Sequence, residues 1–178
     1  MPHLKELPSQ REALRMLKMA GCSANVVEHC KVVSRLAADM AAECEKRGLP
    51  VNRELVEIGA LLHDIGRSET HGVEHGVRGG IIAKSFGLPE ALIKIIVRHV
   101  GAGISREEAR ELGFPEGEYV PSTLEEKIVS YADKLVEGSK RVNIEKAVRK
   151  FSEELGSGHP SIERLRELDR ELSKILEH

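Results

Sequence analysis

Residues 58–66 read Ile58-Gly59-Ala60-Leu61-Leu62-His63-Asp64-Ile65-Gly66, an apolar run that ends on an imidazole and a carboxylate. The run closes a segment, 52–65, in which Asn52 is placed to cap a helix, Leu55, Ile58, Leu62 and Ile65 recur at helical spacing, and Gly66 stops the pattern. Burying a His or an Asp without a partner is costly, so the pair at the end of this run needs an explanation. One is a helix C-terminus, with His63 touching the last carbonyls and Asp64 capping the next turn. The other is a ligand held between them. Gly59, one turn before His63, leaves room for another chain or an ion.

Helical periodicity extends in both directions from this segment. Upstream, Val26, Cys30, Val33, Ala37, Met40 and Cys44 define a long amphipathic helix over 23–47 with Ser23 as its cap, preceded by a shorter one over 9–20. Downstream, 66–74 reads as a polar loop, and helices are expected over 75–86, 89–100 and 105–112. After a Pro- and Gly-containing connection at 113–121 come 122–137, opening on Ser122 or Thr123, then 144–155 and 161–177. No alternating strand pattern of useful length occurs. The expected fold is all-α, a single-domain helical bundle over 1–178, with the charge-rich 138–178 as a peripheral helical pair against the core or a second subunit.

Composition narrows the function. The chain has 178 residues, 27 Lys and Arg against 29 Asp and Glu, and a formal net charge of −2, which offers no broad attraction to nucleic acid or an anionic membrane. Two Tyr, three Phe and no Trp make a base-stacking platform hard to assemble, so no nucleic-acid groove is expected. No apolar run approaches the roughly 20 residues that span a bilayer, and Met1 to Glu6 lack a signal-peptide stretch, so the expected location is cytoplasmic. Cys22, Cys30 and Cys44, with no CxxC, read as reduced thiols. There is no P-loop, GxGxxG, GxSxG or HExxH.

The histidines stand out. Of eight, His29, His63, His71, His75 and His99 fall within one stretch, while His3, His159 and His178 lie apart. His29 sits on a second inward stripe of its helix, His99 ends the apolar face of Leu92, Ile95 and Ile96, and Asp133 stands among Val129, Ala132 and Val136. A carboxylate on an inward face needs a cation or several donors. With His63-Asp64, these make four anomalies on four expected helices, which one shared metal ion explains together.

The order His29, His63-Asp64, Asp133 resembles the H…HD…D pattern of the HD-domain superfamily of metal-dependent phosphohydrolases, and His63-Asp64-Ile65-Gly66 reproduces its HDIG variant. The resemblance covers about 24–137 and implies an all-α core. It also implies that His29, His63, Asp64 and Asp133 bind one divalent ion. The mixed imidazole and carboxylate set suits Mn, Fe, Co, Ni or Zn better than Ca or Mg. In binuclear members two further histidines hold a second ion with the HD aspartate bridging, and His75, rather than His71 four residues earlier, with His99 matches that role.

The chemistry implied is hydrolysis of a small nucleotide or related phosphate mono- or diester, with Asp64 in the catalytic centre and a cation-activated water attacking phosphorus. Arg67, directly after HDIG, is the best candidate for a catalytic phosphate clamp; Arg78 and Lys134 are further substrate-binding candidates, and Arg98 a weaker one. Members with an HDxxE pattern act as nucleoside 5′-monophosphatases, but Arg67 stands where they carry Glu. Glu69 is a candidate acid or base. Two alternatives share the ligand order or the fold: a di-iron oxygenase of the HD type, and a non-catalytic HD sensor module. The expected partner is a small phosphate substrate, with a second copy of the chain as a further candidate.

Overall fold

The computed structural model describes residues 6–176, so His3 and His178 lie outside the described part. The chain folds into helices α1 (Gln10–Ala20), α2 (Ala24–Lys46), α3 (Arg53–Leu62), α4 (His75–Ser85), α5 (Glu90–Arg98), α6 (Arg106–Glu111), α7 (Leu124–Lys134), α8 (Ile144–Leu155) and α9 (Pro160–Leu176). Ser9, Ser23, Asn52, Ser105, Thr123 and Asn143 cap their helices through side-chain oxygens, as Ser, Thr and Asn before an apolar periodicity should. Among the described residues the protein is all-α apart from one small hairpin.

α3 explains the near-continuous apolar run. Its Val56 and Ala60 join a core cluster with α2, α7, α8 and α9, while Ile58, Leu61 and Leu62 join a second cluster with α1, α4 and α5. A helix with core on both sides has no polar face to show. The same first cluster takes Leu165, Leu168 and Leu172 from α9 and Ala147 and Val148 from α8.

Two expected boundaries move. The helix expected over 52–65 ends at Leu62, and Ile65–Ser68 forms a 3-10 turn inside what the sequence presents as loop. The cause is close packing: a Cβ on Gly66 would lie 1.8 Å from the His75 carbonyl oxygen and 2.6 Å from Gly79 N. Gly79 and Gly80 in turn let α4 lie on α5, since their added Cβ atoms would meet Ile96 Cγ2 at 2.7 Å and Val97 Cγ2 at 2.5 Å. The space left by Gly59 is filled by Ile95, at 2.7 Å from an added Cβ, and not by an ion. The helix expected over 122–137 stops at Lys134, because β1 (Val136–Glu137) turns at Gly138 to pair antiparallel with β2 (Lys140–Arg141). Two residues per strand are too few to leave an alternating signal.

Candidate metal centre

α3 ends where its backbone reaches the middle of the molecule, delivering His63 and Asp64 there; α2 supplies His29, the start of α4 His75, the end of α5 His99, and α7 Asp133. Relative exposures of 0% for His63, 1% for His99, 3% for Asp64 and 5% for His75 put four ionisable groups at a depth mostly occupied by apolar side chains.

All four imidazoles are oriented the same way. Nδ1 of His29 donates to Gly138 O at 2.7 Å, of His63 to Ala60 O at 2.6 Å, of His75 to Gly72 O at 2.8 Å and of His99 to Ile96 O at 2.6 Å. A carbonyl can only accept, so each ring carries a hydrogen on Nδ1 and turns inward the Nε2 that can hold a proton or a metal. Such carbonyl partners fix tautomer and ring angle in metal-ligating histidines.

The inward atoms form two groups that share one carboxylate. His29, His63, Asp64 and Asp133 make the first, and Asp64, His75 and His99 the second, with the ligand atoms of each within 4.8 Å of one another. Asp64 divides its oxygens: Oδ2 faces His29 Nε2 at 3.4 Å and His63 Nε2 at 3.5 Å, while Oδ1 faces His75 at 3.3 Å and His99 at 3.1 Å. Asp133 Oδ1 lies 2.9 Å from His29 Nε2 and 3.2 Å from His63 Nε2. Within the second group His75 Nε2 and His99 Nε2 are 3.0 Å apart. Two lone pairs at that distance repel unless a cation sits with them, and N and O donors around a shared carboxylate suit a divalent transition ion. The residues therefore fit a metal.

Electrostatics agrees. Burial opposes charge on Asp64, but His63 and the polar contacts with His75 and His99 hold its carboxyl well below the usual range. Burial likewise opposes ionisation of Asp133, and Lys134 and His63 overcome it. Burial pushes His99 down to about 4 despite its contact with Asp64, which leaves a neutral ring able to act as a ligand. Burial also works against charge on His63, yet Asp64 and then Cys30 and Asp133 pull its pKa well up, the mark of an anionic pocket.

Among the candidate cations, Arg67 is half-buried at the mouth, with Nε 3.2 Å from Asp64 Oδ2 and Nη1 donating to His71 O at 3.3 Å. Lys134 Nζ donates to Asp133 Oδ2 at 2.7 Å, to His99 O at 3.0 Å and to Ser130 O at 3.5 Å, so its three hydrogens are occupied within the protein. Arg78 is exposed on α4 and does not line the cleft. Arg98 is neither a solvated charge nor a phosphate contact: it forms a buried pair with Glu126, Nη1 to Oε2 at 3.0 Å, and donates to Ser122 Oγ. Glu69 and the His71 side chain are exposed, and His71 belongs to neither ligand group. His159 bonds Ser161 Oγ at 2.7 Å, away from the centre.

The centre opens into a cleft of about 410 Å³. One wall carries Arg67, Val100 and Lys134. The other comes from the hairpin and α8, with Lys146, Lys150 and Phe151. Sequence reading missed this second wall, and its only trace there is the pairing of Lys146 with Lys150 at i, i+4 beside Phe151.

An all-α core that gathers four histidines and Asp133 into two groups sharing the Asp64 carboxylate defines the class of protein: a helical protein built around a candidate dinuclear centre. The HD domain family model matches residues 26–138, and the chain belongs to that family. It is 52% identical to an uncharacterized protein of Methanocaldococcus jannaschii over 93% of this chain and 97% of that one. It is 37% identical to a tRNA (cytidine(56)-2′-O)-methyltransferase of Picrophilus torridus over 97% of this chain, but it spans only 48% of the methyltransferase. A ribonuclease Y of Acidothermus cellulolyticus is 30% identical over 79% of this chain and 26% of its own length. The HD domain of the L. monocytogenes phosphodiesterase PgpH, solved also with cyclic-di-AMP, shares the fold at TM-scores of 0.54 and 0.55 and 20% and 19% identity; the two structures cover 92% and 94% of this chain, and this chain spans 98% of each.

Proposed function

We propose that this protein is a metal-dependent phosphohydrolase acting on a small nucleotide or related phosphate mono- or diester. The observation that carries the reading is the division of Asp64, one oxygen toward each histidine group, so that the two groups of candidate ligands would share this carboxylate if both held an ion. A divalent ion bound there supplies a water of lowered pKa and neutralises charge on the phosphoryl oxygens.

The chain's own residues do the rest. Arg67 holds Asp64 through Nε and His71 O through Nη1, and it lines the cleft, where its other guanidinium hydrogens are donors for a phosphate oxygen. Lys134 positions Asp133 and thereby the first ligand group. The apolar cores behind His63 and His99 keep bulk water from the rear of the centre. Among the described residues no helix is long and apolar enough to cross a membrane, and Cys22, Cys30 and Cys44 are free, which suits a reducing compartment such as the cytoplasm.

The names of the relatives favour a second reading, in which the scissile phosphate belongs to RNA: two of the related families are named for acting on RNA, although the chain spans only part of each. The test is a screen of Mn- and Co-supplemented protein against nucleoside mono- and diphosphates, linear and cyclic dinucleotides and short oligoribonucleotides. Turnover of a small nucleotide supports the main reading and turnover of oligoribonucleotides alone the second. Oxygen uptake by iron-loaded protein without phosphate release overturns both.

A further inference from the structure

The family match ends at residue 138, yet the cleft does not: its outer wall is α8, which lies beyond the matched region. Lys146, Ala147, Lys150, Phe151 and Glu154 line the cleft, at offsets of zero, one, four, five and eight along the helix. That is one stripe of α8 turned toward the metal centre. Ala147 anchors the stripe at 8% exposure and Phe151 packs partly into the main core, so the wall is held by burial on its inner side and presents two ammonium groups on its outer side.

Those lysines are available. Lys150 is exposed and has no ion pair or hydrogen bond among the described residues. Lys146 touches Glu137 of the hairpin at 3.2 Å, with both side chains 52% exposed. An exposed pair of this kind holds its partners weakly, so Lys146 can exchange Glu137 for a dianionic ligand. Arg67 faces the same cleft from the other side. With the two aspartates directed at metal and Lys134 held by Asp133, the remaining charged groups lining the cleft are Arg67, Lys146 and Lys150 against Glu137 and Glu154, in a space within the roughly 300–1,000 Å³ usual for small-molecule sites.

We infer that Lys146 and Lys150 of α8 bind a second phosphate of the substrate, so that the site selects a nucleotide carrying two phosphates over a monophosphate. The inference deepens the phosphohydrolase reading and rests on it for the placement of the first phosphate at the metal centre and Arg67. Lysine suits this task as a point charge with freely turning donors. Phe151, between the lysines and the core, gives the nucleoside an apolar surface.

The test is equilibrium binding to Mn-loaded protein of two ligands that resist hydrolysis: α,β-methylene-ADP and the 5′-phosphonate analogue of AMP. The wild type should bind the diphosphate analogue about tenfold more tightly or better, the ratio one well-formed charged contact provides. In Lys146→Ala/Lys150→Ala, with unchanged metal content, that preference should fall below about threefold while the monophosphonate affinity stays within about twofold. Both side chains are exposed, and a thermal melt checks that the fold is kept. A wild type without preference, or a preference that survives in the variant, overturns the inference. If the wild type hydrolyses nothing in the screen, the phosphohydrolase reading falls, and the binding ratio still decides whether α8 holds a second phosphate.

Discussion

His75 and His99 meet at Nε2, 3.0 Å apart, each with its other nitrogen already donating to a backbone carbonyl. The two rings arrive from opposite directions, one at the first residue of α4 and one just past the end of α5, and they converge only because the antiparallel pair is packed across Gly76, Gly79 and Gly80.

Protein purified without chelator is expected to carry one or two transition ions per chain by plasma mass spectrometry. His75→Ala should lower that content and leave the group containing His29, His63 and Asp133, whereas Asp64→Ala, which touches both groups, should abolish it. Chelation should also lower the melting temperature, because ligands brought together by folding return their binding energy as stability. Equal loss in both variants would sink the two-group assignment.

Arg67 is expected to act on substrate and on Asp64 together. Arg67→Ala should reduce kcat/KM for the best substrate by about 100-fold, the scale for losing a charged contact that strengthens in the transition state. Arg67→Lys should recover only part of it, since an ammonium cannot hold Asp64 and a phosphate oxygen in one plane. Metal content in both variants checks that the centre survives.

Gly66→Ala tests the packing that sets His75. An added Cβ would lie 1.8 Å from His75 O, a backbone atom that cannot swing aside. The expected loss is about 3 kcal/mol or more in denaturant unfolding, at the upper end for overpacking. Because the displaced atom belongs to His75, metal content should fall as well.

Leu165→Ala asks how far α9 contributes to the core. Leu165 is fully buried in the cluster that includes Val33, Ala37 and Ile128. Truncation should cost about 2–5 kcal/mol by urea unfolding. A cost under about 0.5 kcal/mol, the level of a surface change, would contradict that packing.

Glu108 links α6 to α9 through Arg164, 2.6 Å from its Oε2. Burial raises its pKa, but the bonds from Arg164 and the Ser105 backbone outweigh burial and bring it below its ordinary value. A depressed carboxylate stabilises the fold above its unfolded pKa, and the contribution disappears as pH falls through the folded one. Arg164→Ala should therefore lower the melting temperature at pH 6–7 and converge with the wild type below about pH 3. A constant offset across that range would count against the pair.

The stretch ending in His63-Asp64 was readable because its physics is local. Caps, helical spacing and an apolar run that stops on two ionisable groups all follow from neighbours in the chain, and they yielded the all-α class, the helix that carries the HD pair, and the three elements bringing His29, His99 and Asp133 to it. Arg98 shows the limit: a cation in the last turn of an amphipathic helix looks like a solvated charge until Glu126, 28 residues on, is found against it. Gly66 is similar, since its need for an absent side chain is set by the His75 carbonyl.

What the tertiary structure alone decided is which distant groups share space. It divided the oxygens of Asp64 between two histidine groups, placed the His71 side chain outside both, and tied Lys134 to Asp133. It also laid α8 along the cleft, so that Lys146 and Lys150 face the centre from beyond the family core. Ligand type and helical phase are written in consecutive residues, whereas a cleft wall arises only from the docking of elements, whose relative placement the buried core fixes over the whole chain at once.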